Sequence, residues 1–391
     1  MKNNFKAADI LPEDVEHALL VGRLWLADAR GPSPVLYRSG DLFDLSKLAS
    51  TMSELLDIDN LVERLGDLES TKICALDEAL NASVGLNRTE KKYYLLSPFD
   101  LQAIKACGVT FAASMLERVI EERAGGDLEK AEILRKEITS VIGDELSTIE
   151  PGSASALRLK ELLISKGVWS QYLEVGIGPY AEVFTKCQPM SSVGWGSEVG
   201  ILSSSEWNNP EPEVVLAVNS KGKIVGASLG NDVNLRDIEG RSALLLGKAK
   251  DNNASCAIGP FIRLFDKRFS LEDIAEADLS LRVEGEDAFV MQGISSMSKI
   301  SRSPQSLVAQ TMGDFHQYPD GFALFMGTMF APVDDRGEKG KGFSHKSGDC
   351  VSISSPSLGN LVNWVNYAEK IVPWTFGTQA LIKNLAARGL L

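Results

Sequence analysis

Histidine, paired cysteine and long apolar runs are scarce in this chain of 391 residues, and each scarcity excludes a class of protein. Three histidines and five scattered cysteines, with no C-x-x-C pair, argue against a zinc site and against a disulfide scaffold. The longest apolar stretch, around "FALFMGTMFAPV", is shorter than the roughly 18 residues that cross a bilayer. The opening segment carries early acidic residues and no apolar signal core, so we expect a cytoplasmic protein with reduced thiols.

Positive charge is also in deficit. The formal net charge is -13, and the sequence contains no long basic block. Nucleic acid and anionic membranes are therefore not expected as partners, because both attract basic surfaces. The hydrophobic fraction of 44% is that of an ordinary soluble protein. The length suffices for one large domain and a smaller one, and a small molecule is the expected partner.

The pattern along the chain predicts an α+β protein. Residues 1–95 mix a strand-like piece with acidic helical pattern, which we interpret as a smaller N-terminal accessory domain. Residues 96–391 form the predicted catalytic domain, with a helical stretch at about 119–170 inserted in it. Beyond about residue 182 short strands alternate with Gly, Ser, Asn and Pro, which favours a core of mixed strands over regular βαβ repeats.

The helical part of this pattern is specific enough to test. A helix-rich stretch is predicted from Ser97 to the Gly125–Gly126 pair, followed by a second helix that Asp127 caps. On that second helix the apolar side chains fall on one face, namely Leu134, Ile138, Val141 and Ile142. A third helix, "SASALRLKELLISKG", is predicted to end at Gly167.

Two carboxylates stand at the start of an apolar run in "NNPEPEVVLAV". Val214–Val218 predicts a buried strand, and Glu211 and Glu213 precede or begin it. Because side chains two apart on a strand share a face, these two glutamates can point the same way. Like charges at that spacing repel unless a cation lies between them, although a solvated strand end would also explain the pattern.

A third carboxylate returns to the same place if the next segment forms a hairpin. "EVVLAVNSKGKIVGASLGND" predicts a turn at Asn219–Gly222 and a second strand from Lys223. Symmetric pairing would place Glu211 opposite Gly230 and Asp232 at the same open end. Three converging carboxylates need a hard cation, so the pattern predicts Mg²⁺ or Mn²⁺ with coordination positions left for a chelating substrate.

Five segments in order resemble the motifs of the fumarylacetoacetate hydrolase superfamily: "NNPEPEVVLAV", "LGNDVNLRD", "AKDNNASCAIGPFI", "LFMGTMFAP" and "SGDCVSISSPSLGNLVN". The resemblance runs from about Ser97 to the C-terminus, apart from the helical stretch. It implies a mixed β-sheet, or β-roll, catalytic core and a 2-oxo acid substrate that chelates the metal. Members usually form dimers or larger assemblies, so the resemblance also implies a homo-oligomer, a dimer or tetramer.

The resemblance also assigns roles to individual residues. It makes Glu211, Glu213 and Asp232 the metal ligands. Arg236 and Thr328 would face the substrate, and Ser192 is a third expected substrate contact. Lys250 would be a catalytic group beside them; its neighbour Lys248, or a surface charge at Lys250 itself, is the alternative interpretation.

One departure from the family pattern bears on the reaction. The family's hydrolases carry a histidine and a glutamate that activate water; in "GVTFAASMLE" Ser114 stands at the histidine position, and Glu117 is kept. An unassisted serine hydroxyl cannot act as a base near neutral pH. The chain is most similar to the family's 2-keto-3-deoxy-pentonate dehydratases, which act on the xylonate- or arabinonate-derived acid.

The implied reaction is a Mg²⁺-dependent loss of water that gives 2-oxoglutarate semialdehyde in pentose catabolism. Glu117 is the expected base or water organiser, and Lys250 the proton donor or enolate stabiliser, although either group could play either part. Arg236 is expected to hold the carboxylate or to orient a metal ligand. The closest alternative is a hydrolase or decarboxylase of an acylpyruvate, with Glu117 and Ser114 organising water. A metal-free binding protein on the same scaffold is the third hypothesis.

Overall fold

The computed structural model describes residues 5–391 apart from 67, 86–87, 126, 128–129, 132, 135–148, 166, 168, 333 and 338–341. Its strands are β1 (Leu20–Leu26), β2 (Gly31–Arg38), β3 (Asp41–Asp44), β4 (Lys72–Ala75), β5 (Tyr94–Leu95), β6 (Ala103–Gly108), β7 (Glu182–Cys187), β8 (Glu198–Ile201), β9 (Asn208–Asn209), β10 (Pro212–Val218), β11 (Ile224–Asp232), β12 (Asn234–Leu235), β13 (Cys256–Leu264), β14 (Asp278–Glu284), β15 (Val290–Ser296), β16 (Phe322–Phe325), β17 (Cys350–Ser355) and β18 (Gly359–Tyr367).

The helices lie between the strands and are mostly short. They are α1 (Met52–Leu56), α2 (Leu61–Gly66), α3 (Leu76–Ser83), α4 (Ala112–Ala124), α5 (Ala154–Ser165), α6 (Gln171–Ile177), α7 (Arg236–Glu239), α8 (Leu246–Lys250), α9 (Leu271–Ala275), α10 (Pro304–Thr311) and α11 (Thr378–Ala387). Within the described ranges no helix combines the length and the apolar character needed to cross a membrane.

Two sheets form the framework. The larger has eleven strands in the order β4-β3-β2-β1-β13-β11-β10-β16-β6-β7, with β5 paired to β1, and the smaller has five in the order β15-β14-β17-β18-β8. Strands β9 and β12 form a separate short pair. Neighbours are antiparallel except for β16–β6 and β18–β8, which are parallel. This mixture confirms the predicted α+β fold with a core of mixed strands.

Strand β10 is buried on both faces. Val214, Leu216 and Val218 join the core shared with the smaller sheet, whereas Val215 and Ala217 pack on the side of α1 and α2. Because side chains alternate along a strand, a central strand covered on both faces has a continuous apolar run. The buried strand predicted at Val214–Val218 is confirmed.

The β10–β11 hairpin carries the acidic residues, and its register differs from the symmetric prediction. Glu213, and not Glu211, lies opposite Gly230. The predicted pairing was therefore wrong by two positions on β10, although the turn at Asn219–Gly222 is present, with Gly222 N–H donating to Asn219 O at 3.0 Å.

Two local irregularities shift that register. The Asn219 N–H donates to the Lys223 carbonyl (3.0 Å), so the connecting loop is one residue longer than the predicted turn. A β-bulge at the loop end of β10 adds the second position of the shift. As a result the Asp232 N–H donates to the Glu211 carbonyl (3.0 Å), and the two acidic residues are direct neighbours across the hairpin.

The helix-rich stretch predicted from Ser97 was wrong in its first half. Ala103–Gly108 is strand β6, which pairs with β16 and β7, and α4 begins only at Ala112. Ile104 and Ala106 are buried while Lys105 between them is partly exposed, which is the period-two pattern of a strand. The pairing partners, which are distant in sequence, decide the outcome over local helix propensity.

The later helices follow the prediction where the structure describes them. Asp127 caps as expected, since its Oδ1 accepts the Lys130 N–H at 3.1 Å. The predicted apolar positions Ile138, Val141 and Ile142 lie outside the described residues. Helix α5 matches the third predicted helix, and Gly167 follows it with a left-handed φ of 68°, as a terminating glycine does.

The N-terminal region joins the large sheet. Strand β1 pairs with β13, with Leu20 opposite Arg263, and β2 to β4 continue the sheet outward from β1. The Arg263 guanidinium is fully buried and binds the Asp14 carboxylate through both terminal nitrogens at 2.6 Å. The division into an accessory domain at 1–95 and a catalytic domain at 96–391 stays a prediction.

Candidate active site

Three buried carboxylates meet at the open end of the β10–β11 hairpin. Glu211, Glu213 and Asp232 each offer an oxygen, and these oxygens lie within 4.8 Å of one another. Glu211 and Glu213 come to one face because they are two residues apart, and Asp232 reaches the same place as the last residue of β11. The convergence expected from the sequence is therefore present in the structure.

Two buried lysines neutralise part of this charge. Lys250, at the end of α8, places its Nζ 2.5 Å from Glu211 Oε2 and 3.1 Å from Asp232 Oδ2. Lys186, on β7, places its Nζ 2.9 Å from Asp232 Oδ1 and is fully buried. The sequence analysis preferred Lys250 over Lys248, and the structure brings Lys250 into the site. The sequence analysis did not identify Lys186.

The pKa values of these groups reflect the competition between burial and pairing. Burial disfavours the charge of Lys250, but the carboxylates of Asp232 and Glu211 outweigh burial, and its pKa is raised. For Asp232, burial opposes ionisation, whereas Lys186 and Lys250 favour it, and its pKa is lowered. Both groups are therefore charged near neutral pH.

Glu213 is the carboxylate that the protein leaves least compensated. The backbone N–H of Gly327 donates to its Oε2 at 2.6 Å, but no cationic side chain of the described residues lies within ion-pair distance of it. Burial raises the pKa of Glu213 well above its ordinary value, and the charges of Asp232 and Glu211 raise it further. A carboxylate in this position stays ionised at low cost only with another cation nearby.

This donor set fits a divalent metal ion. Carboxylate oxygens are the ligands that Mg²⁺ and Mn²⁺ prefer, and three of them leave coordination positions for other oxygens. A divalent cation would offset the repulsion at Glu213 directly. Glu211, Glu213 and Asp232 are thus the residues able to hold such an ion.

Arg118 connects one of these ligands to a neighbouring carboxylate. Its guanidinium lies 2.7 Å from Glu211 Oε1 and 2.7 Å from Glu239 Oε2, so it bridges helix α4 to α7 and to the metal cluster. Asn234 Nδ2 also donates to Glu211 Oε1, at 3.1 Å. These contacts fix the orientation of the Glu211 carboxylate, and the sequence analysis missed both Arg118 and Asn234.

Glu182 is a further acidic residue of the pocket that the sequence analysis missed. It lies on β7 directly opposite Gly108 of β6, where a Cβ would meet Glu182 Oε2 at 1.9 Å. Only glycine at that position leaves room for the carboxyl group. Burial raises the pKa of Glu182 to about 7, and the charge of Glu239 adds to the effect. No local sequence signal reveals this strand pairing.

The sequence-predicted residues Glu117, Ser114 and Arg236 line the same pocket. Glu117 Oε2 lies 3.4 Å from a terminal nitrogen of Arg236, whose guanidinium also lies 4.6 Å from the centre of the Trp207 ring. The Ser114 hydroxyl donates to the Phe111 carbonyl at 2.9 Å, within the first turn of α4.

Thr328 also lines this pocket, but Ser192 does not. Thr328 Oγ1 accepts the Phe330 N–H at 3.0 Å. Ser192, expected as a substrate contact, instead donates from its hydroxyl to Ser97 Oγ (2.7 Å) and lines a different cavity. The chain after β7 therefore places Ser192 outside the set of residues that line the carboxylate pocket, and its role as a substrate contact stays a prediction.

The pocket is nearly filled by its own side chains. Its free volume is about 30 Å³, which is roughly the volume of one water molecule. The segment Phe330–Pro332 lines one wall.

About half of the chain is similar in sequence to known proteins. Residues 173–366 match the family described as "Fumarylacetoacetate (FAA) hydrolase C-terminal". Two curated relatives are each 31% identical: 2-dehydro-3-deoxy-D-arabinonate dehydratase of Saccharolobus solfataricus, over 190 residues, and a probable 2-keto-3-deoxyxylonate dehydratase of Haloferax volcanii, over 194 residues. These matches cover 49% and 50% of this chain, and 60% and 63% of the relatives' own length.

The fold extends beyond that segment. A solved structure of 2-keto-3-deoxy-D-arabinonate dehydratase, complexed with magnesium and 2,5-dioxopentanoate, superposes with a TM-score of 0.61 at 20% identity, over 89% of this chain and 99% of that one. The matched family segment contains all three carboxylates of the metal cluster, Lys250 and Arg236. Residues 173–366 therefore match the fumarylacetoacetate hydrolase C-terminal family, and the chain has the fold of the solved dehydratase.

Proposed function

We propose that this chain is a divalent-metal-dependent lyase that dehydrates a 2-keto-3-deoxy-pentonate to 2-oxoglutarate semialdehyde (2,5-dioxopentanoate). The observation that carries the proposal is the buried cluster of Glu211, Glu213 and Asp232, with Glu182 and Lys250 lining the same pocket. The names of the two curated relatives, which are pentonate dehydratases, support the choice of substrate. The magnesium in the solved dehydratase supports the choice of cation.

Glu211, Glu213 and Asp232 would hold Mg²⁺ or Mn²⁺ in this proposal. When bound, the cation makes the C3 protons of a chelating 2-oxo acid more acidic by stabilising the negative charge that develops on the keto oxygen. Lys250, held in its charged form by Asp232 and Glu211, donates hydrogen bonds to oxygens that gain negative charge.

Glu182 is the proposed proton carrier. With a pKa of about 7 it is present in both protonation states near neutral pH, as an efficient acid–base group must be. It accepts the proton from C3 and can return it to the C4 hydroxyl, which leaves as water. Tautomerisation of the dehydrated product then gives the aldehyde at C5.

Arg236 and Thr328 are the proposed substrate contacts. The Arg236 guanidinium can bind a carboxylate through two hydrogen bonds, and Glu117, at 3.4 Å, orients it. Glu117 remains the second candidate for the base, since it lines the pocket as well. Its contact with the Arg236 guanidinium suits an orienting role.

The alternative reaction, hydrolysis of an acylpyruvate, needs a base that activates water. Ser114 stands at the position where hydrolases have histidine, but its hydroxyl donates to the Phe111 carbonyl, which cannot accept a proton for catalysis. The arrangement therefore favours dehydration.

The direct test is an assay for 2-oxoglutarate semialdehyde with 2-keto-3-deoxy-D-xylonate and 2-keto-3-deoxy-D-arabinonate, each with Mg²⁺ and with EDTA. We expect product that disappears with EDTA and in the Glu213→Gln variant. An acylpyruvate serves as the comparison substrate. Turnover of the acylpyruvate alone, or undiminished dehydration by Glu213→Gln, would contradict the proposal.

We also propose a homo-oligomer, a dimer or tetramer, that works in the cytoplasm. All five cysteines are free thiols in the structure, four of them buried, which suits a reducing compartment. Light scattering coupled to size-exclusion chromatography measures the assembly, and a monomer at micromolar concentration would contradict this part of the proposal.

A further inference from the structure

A second cavity lies away from the metal cluster and has its own polar groups. We name it the arginine cavity, because Arg23 and Arg88 line it. Its volume is about 570 Å³, within the range of roughly 300–1,000 Å³ typical of small-molecule sites. Ser192, which sequence analysis had assigned to the substrate, also lines this cavity.

Arg23 is a buried cation without a carboxylate partner. Its side chain donates to the backbone carbonyls of Ser97 (3.4 Å) and Phe99 (2.7 Å) and contacts Met190 Sδ. Its buried Nε finds no hydrogen-bond partner among the described residues. The nearest acidic residue that affects it, Asp100, is occupied by backbone N–H groups of α1 and its own loop.

Arg88, which is partly exposed, also lines the cavity. Its guanidinium lies 4.5 Å from the centre of the Tyr94 ring and donates to the Ser197 hydroxyl. Within the described part of the chain no carboxylate lies within ion-pair distance of it. Burial lowers the pKa of both arginines, more than Asp100 and Tyr94 raise it for Arg23 and more than Tyr94 raises it for Arg88, and the charge of Arg88 lowers the pKa of Arg23 further. A buried cation without an anionic partner is unfavourable, and an anion bound by both guanidinium groups would compensate both charges.

The remaining lining suits the body of an organic molecule. Trp25 and Tyr94 stack with ring centres 5.7 Å apart, and Phe376 packs edge-on against Trp25. Trp374 lines the cavity as well and is 40% exposed. Two carboxylates also line the cavity, Glu90 and Glu198, and Glu198 is occupied by the Asn366 amide at 2.7 Å.

We propose that the arginine cavity binds a small organic anion, with a carboxylate or phosphate group at Arg23 and Arg88 and an apolar or planar body against the aromatic side chains. Guanidinium groups bind both anions through paired, charge-assisted hydrogen bonds. The Ser197 hydroxyl, which accepts from Arg88, can add a donor beside that guanidinium. The site is separate from the metal cluster, and the inference does not depend on the proposed reaction.

The test uses three probes on the whole protein: adenosine monophosphate as a phosphate on a planar body, benzoate as a carboxylate, and adenosine as the uncharged control. Calorimetry gives Kd for each probe, and loss of the tryptophan fluorescence change in a Trp374→Phe variant assigns that change to the cavity. We expect at least one of the two anions to bind and adenosine to bind at least about tenfold more weakly. If neither anion binds, or adenosine binds equally well, the proposal is wrong.

Variants locate the binding. Arg88→Met should weaken the bound anion at least about tenfold, while Arg282→Met, an exposed arginine paired with Glu284, should leave Kd unchanged. Arg88→Lys keeps the positive charge but loses the paired donors of the guanidinium group, so its Kd should lie between those of the other two variants. Circular dichroism checks that each variant folds. Unchanged affinity in folded Arg88→Met would assign the anion to another site and overturn the proposal.

An acidic side chain from a second copy of the chain is the competing occupant. In that case Arg88→Met would shift the assembly state in light scattering, and neither probe would bind the wild type. That result would also overturn the proposal. Loss of the Mg²⁺-dependent reaction bears only on the metal cluster, so the two proposals fail independently.

Discussion

Glu182 and Glu117 are two acidic side chains of one pocket in different surroundings. Glu182 has its pKa raised to about 7, by burial first and by Glu239 second. Glu117 instead lies 3.4 Å from the Arg236 guanidinium. A group that changes protonation state near neutral pH can carry a proton, while a carboxylate paired with an arginine orients it.

We predict that Glu182→Gln lowers kcat by about 10²–10⁴-fold with little change in KM, which is the usual contribution of a general base. Because the base must be deprotonated, wild-type kcat should rise with pH and level off above about 7, or somewhat lower when the cation is bound. The variant should lack this limb. The measurement is a pH profile of initial rates.

The control for that prediction is Glu117→Gln. Its main effect should be a higher KM, because Arg236 loses the group that orients it. If Glu117→Gln instead removes the pH limb and Glu182→Gln keeps full kcat, the base is Glu117, as the sequence alone had suggested.

Arg118 acts on the metal site through Glu211. We predict that Arg118→Met raises the Kd for Mg²⁺ by about 10–100-fold, the usual effect of removing a group that orients a metal ligand. Calorimetry measures the Kd. Arg123→Met is the matched control on the same helix. Within the described part of the chain Arg123 donates to the Gly167 carbonyl (2.7 Å), away from the metal site. This variant should bind Mg²⁺ with the wild-type Kd. Equal affinities in both variants would refute the positioning role.

Among the secondary-structure elements, the β10–β11 hairpin positions the site. Some of its features could be predicted from the sequence and others could not. Strand β10, its turn and the acidic residues were predictable because apolar runs, turn residues and period-two spacing are local signals. The register was not, because a longer loop and a bulge shift it without a clear sequence signature.

The missed residues share a different cause. Glu182 depends on the pairing of β7 with β6, and Lys186, on the same strand, reaches Asp232 through that pairing. Arg118 arrives from α4. Each contact joins segments separated by dozens of residues, and no periodicity within one segment encodes it. The position of Ser192 has the same origin, since it depends on the path of the chain after β7.

Gly230 lets the hairpin pack against its neighbours, opposite Glu213. A Cβ at Gly230 would lie 2.3 Å from Phe325 Cε1 and 2.5 Å from Val215 Cγ2, so something must shift. We predict that Gly230→Ala lowers the free energy of unfolding by about 1–3 kcal/mol, the usual cost of overpacking a core, and weakens Mg²⁺ binding by displacing Glu213.

The control is Gly66→Ala, at the end of α2, where a Cβ meets nothing within 4 Å. It should change the stability by less than about 1 kcal/mol. Urea denaturation followed by fluorescence compares the two variants. A Gly230→Ala protein as stable as the wild type would show that the strands adjust without cost.

At the scale of the whole molecule, the active site lies where separate parts of the chain meet. The β10–β11 hairpin of the large sheet supplies the carboxylates, and the same sheet surrounds the two lysines. Helix α4 supplies Arg118 and Glu117, and the segment after β16 supplies Gly327 and Thr328. Burying so many charges together opposes folding unless each is compensated. Glu213 is the exception in the metal-free protein, so the stability of the whole fold should depend on the cation.

We therefore predict that Mg²⁺ raises the Tm of the wild type, by an amount equivalent to about 2.7 kcal/mol at a hundredfold excess over Kd. Glu213→Gln should lose this shift. In EDTA the same variant should be at least as stable as the wild type at pH 8, because the pKa of Glu213 is raised by burial and by Asp232 and Glu211. A raised carboxyl pKa means that stability is lost as the pH rises, and a neutral glutamine avoids that loss.

Differential scanning fluorimetry at pH 6 and pH 8, with Mg²⁺ or with EDTA, measures both effects. Glu276→Gln, at an exposed position, is the control and should follow the wild type under every condition. If Glu213→Gln is strongly destabilised in EDTA, then Glu213 supports the fold without metal. The conclusion that it is kept for the cation would then be wrong. If the variant is stable but its Tm does not change with Mg²⁺, the protein keeps an uncompensated carboxylate at this position because that carboxylate binds the metal.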